Sequence, residues 1–377
     1  MFFIISGIGA AFPEKMGIFG MQSLGSFIFY RIIGGIGIGL ASMLSPLYIA
    51  EIAPAKIRGK LVSWNQFAIV FGMLVVYFVN WFISGRGDYQ WNMSTGWRWM
   101  FLSGTIPSLI FIILLFFIPE TPRYLVIKNK HKKAMDILRK TVGDGEAEMV
   151  MMNINETLTE KSVHWLSFGS LLIIISIIMA ALQQFIGINV VLYYAPKIFQ
   201  NMGTQLDSSL LQTILVGAVN MIFTVIAILA VDKAGRKFLL ITGGMVMGLA
   251  MAFIGFTFYT ESMGILALAF ILLYIAGFAV SWGPVMWVLL SEIFPNSIRG
   301  AMSLATATVW ISNLIISWSF PVLDDNSWLV DRFHHGFPYW IYAVICFFAV
   351  FFVWRMVPET KGKTLEQIEK LWKRSSN

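Results

Sequence analysis

Charged residues are scarce in this sequence, and so are the groups that metal sites and most catalytic centres require. Asp, Glu, Lys and Arg make up 12% of the 377 residues, about half of the roughly 25% found in soluble domains. The single cysteine, Cys346, excludes a secreted scaffold built on disulfides. The sequence has no Walker motif, no His-Glu-x-x-His pair and no Cys/His cluster. We therefore expect no enzyme activity, no cofactor and no metal site.

Apolar residues, in contrast, are abundant and arranged in long runs. Hydrophobic residues make up 58% of the chain and aromatic residues 15%. A helix needs roughly 20 mostly apolar residues to cross a bilayer. Nine runs meet this length, at about 24–50, 60–83, 97–118, 166–192, 208–231, 238–259, 264–290, 300–321 and 336–357. A tenth run, 1–12, is too short to span. The sequence thus predicts an all-α polytopic membrane protein.

The distribution of Lys and Arg predicts how these helices are oriented. Basic residues concentrate in the connections at 56–60, 119–164 and 232–237 and in the segment after 355. Cytoplasmic connections carry such an excess, so we expect the C-terminus in the cytoplasm. The net charge of +7 then follows from topology, and no nucleic-acid partner is needed to explain it.

A long polar segment divides the hydrophobic runs into two groups. It is rich in lysine, with apolar residues at helical spacing, which is typical of amphipathic helices on a membrane surface. We predict an incomplete N-terminal transmembrane bundle (1–118), a cytoplasmic amphipathic helical linker (119–164), a six-helix C-terminal bundle (165–357) and a cytoplasmic tail (358–377).

An internal repeat supports a two-bundle architecture. Three residues of one cytoplasmic turn recur at the same spacing in the second half: Glu51, Pro54 and Arg58 match Glu292, Pro295 and Arg299. Parallel repeats of this kind are a feature of two-bundle transporters. The second half also holds the motif 232–237, whose first-half counterpart would precede Met1. We therefore expect a six-plus-six plan that lacks about the first two of twelve helices.

Five motifs together resemble the sugar porter family of the major facilitator superfamily. They are the segments 119–123, 183–196, 232–237 and 358–362 and the repeated Glu…Arg-Gly turn. The resemblance implies a major facilitator fold of two pseudo-symmetric helical bundles that carry a monosaccharide by alternating access. Proton coupling is a property of the parent family. The stretches 31–46 and 281–292 resemble the carriers of D-xylose, which makes this sugar the expected substrate among pentoses and hexoses.

Three amides in one span have the chemistry to bind a sugar. Gln183, Gln184 and Asn189 lie near Gly187, and an amide offers both a donor and an acceptor without charge. On an unbroken helix Gln183 and Asn189 would not share a face. A local break near Gly187, of the kind that transporter helices have at the midplane, would let them converge.

The family resemblance implies further contacts from other spans. Gln66, Asn220 and Trp287 are expected to join the three amides around the sugar. The alternative is that these amides only form hydrogen bonds between helices. Tyr193 and Tyr194 are expected either to gate the extracellular side or simply to pack. The family usually has a polar amide before the tryptophan of its eleventh helix, whereas here Val309 precedes Trp310.

Charged motif residues at the predicted cytoplasmic ends are implied, by resemblance, to form ion-pair networks that open and close during transport. They are Glu51, Arg58, Asp232, Arg236, Glu292 and Arg299. Arg31 lies within a span and must be paired or hydrated. In proton-coupled members of the family, an aspartate on the first helix responds to this arginine. Every acidic residue of this chain lies in a connection or at the end of a span, so symport is here an inference from the family.

A glycine-rich stretch, 34–39, superficially matches a dinucleotide-binding loop. It lies inside a predicted span without the strand–turn–helix context of such a loop. Close packing of helices through small residues is the better explanation.

The leading hypothesis is a secondary active transporter of a monosaccharide in a bacterial inner membrane. We expect it to be a monomer whose partners are the sugar, protons and membrane lipid. The alternatives are a facilitative sugar uniporter, a transporter-like sugar sensor and an inactive remnant of a transporter. Proton movement that accompanies sugar uptake separates a symporter from a facilitative uniporter.

Overall fold

A computed structural model describes residues 1–17, 23–53, 58–159, 170–203, 206–262, 264–293 and 302–359. These residues form helices and connections, without a strand among them. The first half contains α1 (Phe2–Ala11), α2 (Ser23–Ile52), α3 (Arg58–Ser84), α4 (Tyr89–Trp91), a π-helical turn (Asn92–Gly96), α5 (Trp97–Ser103), α6 (Thr105–Leu115), α7 (Pro122–Ile127), α8 (His131–Val142) and α9 (Asp144–Thr159). The second half contains α10 (Ser170–Phe185), α11 (Ile188–Tyr193), α12 (Ala195–Asn201), α13 (Leu206–Ala234), α14 (Arg236–Tyr259), α15 (Ile265–Val280), α16 (Pro284–Ile293), α17 (Met302–Asp324), α18 (Ser327–Phe333) and α19 (Phe337–Met356).

Nine helical segments of the described chain are long and apolar enough to cross a membrane. They are Ser23–Ser45, Trp64–Ser84, Tyr89–Leu115, Leu171–Tyr193, Ser208–Val231, Arg236–Tyr259, Ile265–Leu290, Ser303–Asp324 and Phe337–Met356. Each coincides with one of the nine predicted runs, so the prediction of nine spans is confirmed for this part of the protein. The short run at the start forms α1, which has ten residues. That the chain lacks two helices of a twelve-helix plan stays a prediction.

The chain divides into two compact units, Met1–Ala68 with Val75–Lys161, and Ile69–Leu74 with Ser162–Asn377. In the first unit α1 packs against α2 through small residues. Gly9 faces the ring of Tyr30, and Gly34 faces the side chain of Ser6. Because a methyl group at either glycine would overlap its neighbour, Gly9 and, from the glycine-rich stretch, Gly34 serve close helix packing.

Three short helices of the first unit form a small apolar core of their own. Helices α7, α8 and α9 bury the side chains of Leu125, Ala134, Leu138 and Met151 against one another. Gly143, at φ +85°, separates α8 from α9. The lysine-rich predicted linker is thus helical as far as Thr159, while its proposed boundaries and its cytoplasmic location stay predictions.

The second unit packs around α14, which lies against both α15 and α19. Gly244 and Gly248, four residues apart on one face of α14, meet Val350 and Phe347 of α19. Small residues at this spacing let two membrane helices approach closely. The core that results also encloses Tyr274, Trp282 and Tyr342, each at most 1% exposed.

Two of the six spans of the second unit are interrupted. Between α10 and α11, Gly187 adopts a left-handed conformation at φ +92°. Between α15 and α16, residues Ser281–Gly283 form a turn before Pro284 starts the next helix. Broken helices in transporters free backbone and side-chain polar groups for ligands, and both breaks lie in the second unit.

Candidate functional site

Three amide side chains of the second unit form a continuous hydrogen-bonded chain. Asn189 Nδ2 donates to Gln184 Oε1 at 2.5 Å, and Gln184 Nε2 donates to Gln183 Oε1 at 3.2 Å. Gln183 Nε2 then donates to the carbonyl oxygen of Trp282 at 3.2 Å. Gln183 and Gln184 are 4% and 6% exposed, and Asn189 is half-buried. This chain of three amides therefore places uncharged donors and acceptors inside an otherwise apolar unit.

The break at Gly187 is what allows this chain to form. Residues five apart on a regular helix differ by about 140° around its axis, so Gln184 and Asn189 would point in different directions. The left-handed backbone of Gly187 redirects α11 and brings the two side chains into contact. The expected convergence of the amides is thus present, and it occurs at the expected position.

Trp282 is a residue of this cluster that the sequence analysis did not assign. Its carbonyl oxygen accepts the hydrogen bond from Gln183 Nε2, because the interruption at Ser281–Gly283 leaves this oxygen without a helical partner. Its indole N–H donates to the Leu240 carbonyl at 3.0 Å. The Gly283-Pro284 dipeptide was the available signal, because proline cannot donate a backbone hydrogen bond and starts a new helix readily.

The other predicted sugar contacts lie on separate elements. Asn220 is buried on α13, and Trp287 is half-buried on α16 against the core of the second unit. Among the described residues, neither is hydrogen-bonded to the three amides. Gln66 is half-buried on α3 of the first unit. The roles of these three side chains stay predictions.

Tyr193 ends α11, Tyr194 follows it, and both contact α17. Tyr194 Oη donates to the carbonyl of Ser317 at 2.9 Å, and Asn313 Nδ2 lies 3.4 Å from Tyr193 Oη. Tyr193 remains 52% exposed, while the ring of Tyr194 packs against Phe320. The pair therefore joins the second half of the broken span to α17, which is compatible with gating and with packing alike.

Of the predicted gating charges, Arg236 is the best described. It begins α14, is 9% exposed, and donates from a guanidinium nitrogen to the Val231 carbonyl at 3.2 Å. The carboxylate of Glu359 accepts the backbone N–H groups of Arg236 and Lys237, each at 3.1 Å. Two motifs recognised separately in the sequence thus meet at the start of one helix.

The remaining charged motif residues are described less fully. Glu51 is half-buried one residue before the end of α2. Arg299 lies outside the described residues, and the side chains of Arg58, Asp232 and Glu292 lie outside the described side chains. Arg31 lies in the span Ser23–Ser45 with its guanidinium 5.2 Å from the centre of the Phe101 ring. A cation over an aromatic face is a favourable contact that leaves the charge formally unneutralised.

Comparison with known proteins places this geometry in context. The model of the family described as "Sugar (and other) transporter" matches residues 1–372. The D-xylose-proton symporter of Escherichia coli K12 is 52% identical over 98% of this chain and 78% of its own length. The glucose facilitated diffusion protein of Zymomonas mobilis is 42% identical over 98% of this chain and 80% of its own.

A solved structure of the proton:xylose symporter XylE, bound to 6-bromo-6-deoxy-D-glucose, superimposes with a TM-score of 0.83. It is 51% identical in sequence, covering 98% of this chain and 81% of that one. Agreement in sequence, in the described fold and in the order of the motifs leads to one assignment. The chain belongs to the Sugar (and other) transporter family.

Proposed function

We propose that this protein transports a monosaccharide, D-xylose first among the candidates, together with protons across a bacterial inner membrane by alternating access. The observation that carries the proposal is the chain of amides from Asn189 to Gln183. A sugar presents hydroxyls that each donate and accept, and a site that pairs them discriminates strongly against molecules that leave its polar groups unpaired. The relative of highest quoted identity is itself a D-xylose-proton symporter.

The hydrogen-bond partners of the amides support sugar binding over cross-linking of helices. Two of the three hydrogen bonds run between neighbouring amides of the same broken span. Only the bond from Gln183 to Trp282 joins that span to another. A device built solely to hold helices together would direct its donors across the interface. Amides that pair mainly with each other can instead exchange those bonds for sugar hydroxyls.

Uptake of radiolabelled D-xylose in a transport-deficient bacterial strain tests the proposal. We expect saturable uptake by the wild-type chain and a loss of at least tenfold in Gln184→Ala, since truncation removes the partner of Gln183 Oε1 and of Asn189 Nδ2. Gln200→Ala, which removes an exposed amide on α12, is the matched control and should transport normally. Binding without uptake would contradict transport and favour a sensor or an inactive remnant.

Facilitated diffusion is the second candidate, because a glucose facilitated diffusion protein is also among the similar relatives. Adding D-xylose to lightly buffered, energised cells separates the two. Symport predicts alkalinisation of the medium as protons enter with the sugar, whereas a uniporter takes up sugar without it. We further propose that Arg31 takes part in the coupling, so Arg31→Leu should reduce alkalinisation more than sugar exchange.

Orientation and assembly complete the proposal. We place the C-terminus in the cytoplasm, because the basic connections are expected on that side, and we expect the protein to act as a monomer embedded in membrane lipid. Cysteine labelling from each side of the membrane, at a cysteine added after residue 370, tests the orientation. Modification by an impermeant reagent in intact cells would contradict it.

A further inference from the structure

The break between α10 and α11 is held by a residue outside the amide chain. Where a helix ends, the carbonyls of its last turn lose their intrahelical partners. Tyr274 of α15, which is wholly buried, donates its hydroxyl to the Ile186 carbonyl at 2.9 Å. A carbonyl left unpaired in this apolar interior would carry a desolvation cost. The tyrosine thus satisfies the oxygen that the bend releases.

Helix α19 also lies against the break. The ring of Tyr342 lies against the Cα of Gly187, so closely that a Cβ there would stand 2.8 Å from a ring carbon. Cys346 Sγ lies 4.0 Å from the same Ile186 carbonyl and is fully buried. A thiol is a weak donor, which leaves the Tyr274 hydroxyl as the strong partner. Two helices therefore confine Ile186 and Gly187 in one conformation.

The position of Asn189 depends on that conformation. Asn189 follows the break by two residues and reaches Gln184, which precedes it, only because α11 is redirected. Straightening the span would turn Asn189 away by roughly a third of a turn or more. A group that stabilises the bend therefore stabilises the amide chain without touching it.

We propose that Tyr274 is a positioning residue for sugar binding, its hydroxyl holding the bend that places Asn189 beside Gln184. This rests on the proposed function, in which the amide chain binds the sugar. Tyr274 itself makes no contact with the sugar in this mechanism.

Equilibrium binding of radiolabelled D-xylose to the purified full-length protein tests the proposal. Tyr274→Phe removes one hydroxyl, and we expect about a tenfold rise in the dissociation constant, the scale set by one unpaired buried carbonyl. The matched control is Tyr339→Phe on α19. It also removes the hydroxyl of a buried tyrosine, one whose ring stacks on Phe258 and whose hydroxyl is not the donor to the Ile186 carbonyl. It should bind D-xylose as the wild type does.

A double-mutant cycle separates positioning from general loss of structure. If Tyr274 acts through Asn189, then Tyr274→Phe should change binding by less than twofold in an Asn189→Ala background. Melting temperatures without sugar should be similar for Tyr274→Phe and Tyr339→Phe. Binding measured in native membranes extends the comparison to variants that solubilise poorly.

The possible failures are distinguishable. If wild-type binding is saturable and Gln184→Ala abolishes it, but Tyr274→Phe binds normally, the positioning role is overturned and the proposed function stands. The positioning role is also overturned if the losses of D-xylose affinity caused by Tyr274→Phe and Asn189→Ala multiply in the double variant. If the wild type shows no saturable binding of D-xylose, both proposals are overturned together.

Discussion

His335 pairs with a carboxylate that is almost wholly enclosed. Its Nδ1 lies 3.0 Å from Oδ1 of Asp324, whose side chain is 1% exposed. Asn201 donates to the other carboxylate oxygen at 3.1 Å, and Lys197 Nζ lies 3.6 Å from it and 2.8 Å from Asp325. The cluster joins α12, the end of α17 and the turn that precedes α19. A buried carboxylate requires such partners, and removing one leaves an uncompensated charge.

The hydrogen bond to Asp324 raises the pKa of His335 above its usual 6.5, although partial burial opposes the shift. A raised pKa means that the protonated pair contributes stability fully below about pH 6.5, which is lost as pH rises through the folded-state pKa. We expect His335→Asn to abolish this pH-dependent part of the stability. Asparagine tolerates the left-handed backbone of this position, φ +67°, so the substitution isolates the imidazole.

Thermal melts of the two proteins between about pH 5 and about pH 9 measure the effect. His334→Asn is the control, because His334 is also left-handed at φ +47° but stands 3.6 Å from Glu261 with both side chains well exposed. An unchanged pH dependence in His335→Asn would contradict the assignment.

A second prediction concerns the glycine at the helix break. Gly187→Ala adds a methyl group against the Tyr342 ring, at 2.8 Å, in a backbone conformation that alanine disfavours. We expect lower thermal stability and loss of D-xylose binding, because the span must straighten or the ring must move. Gly203→Ala is the control. It is left-handed at φ +85° with nothing within 4 Å, so it carries only the backbone cost of about 1 kcal/mol. Equal behaviour of the two variants would contradict the steric part of the explanation.

Structural features that depend on a single segment of the chain could be predicted from the sequence. Nine spans follow from the length of apolar runs, and the break at Gly187 follows from polar residues whose spacing fits no regular helix. Those inferences use neighbouring residues only, which is why they could be made without a structure.

The hydrogen bonds that hold the site and the break together join pairs of residues that are distant in the chain. Tyr274 and Ile186 are 88 residues apart, and Gln183 and Trp282 are 99 apart. No periodicity encodes such contacts, because many pairs of helices could pack with similar burial of apolar surface. Asp324, like the other acidic residues, was expected in a connection or at the end of a span, but its enclosure by Asn201 and His335 depends on residues in other segments of the chain.

A third prediction concerns the carboxylate at the start of α14. Glu359 accepts two N–H groups of the first turn, those of Arg236 and Lys237, and a negative charge is favourable at this end of a helix. We expect Glu359→Ala to lower the stability of the second unit by about 1–2 kcal/mol, the range for a lost N-terminal cap. Glu359→Gln keeps one acceptor oxygen without the charge and should lose less. Denaturant titration monitored by circular dichroism measures the stability of both variants. Equal losses of stability in the two variants would contradict a role for the remaining acceptor oxygen and assign the effect to the charge alone.

The last prediction concerns the ion pair that ties α1 to α5 in the first unit. Arg98 donates to both oxygens of Glu14, at 2.7 and 2.9 Å, and to the Ala11 carbonyl at 2.8 Å. The hydrogen bond from Arg98 lowers the pKa of Glu14 from 4.5 to about 2. A lowered pKa means that the pair stabilises the fold above about pH 4.5 and that this stabilisation fades as pH falls toward about 2.

Glu14→Gln should therefore melt a few degrees below the wild type near neutral pH, with the difference shrinking in acid. The effect is small because half of the Glu14 side chain is exposed, where water and salt weaken ion pairs. Melting at low and at high ionic strength checks this, since salt should narrow the difference. Glu148→Gln, at an exposed position on α9, should melt like the wild type at every pH. A difference between Glu14→Gln and wild type that persists in acid would show that the carboxylate acts through something other than its charge.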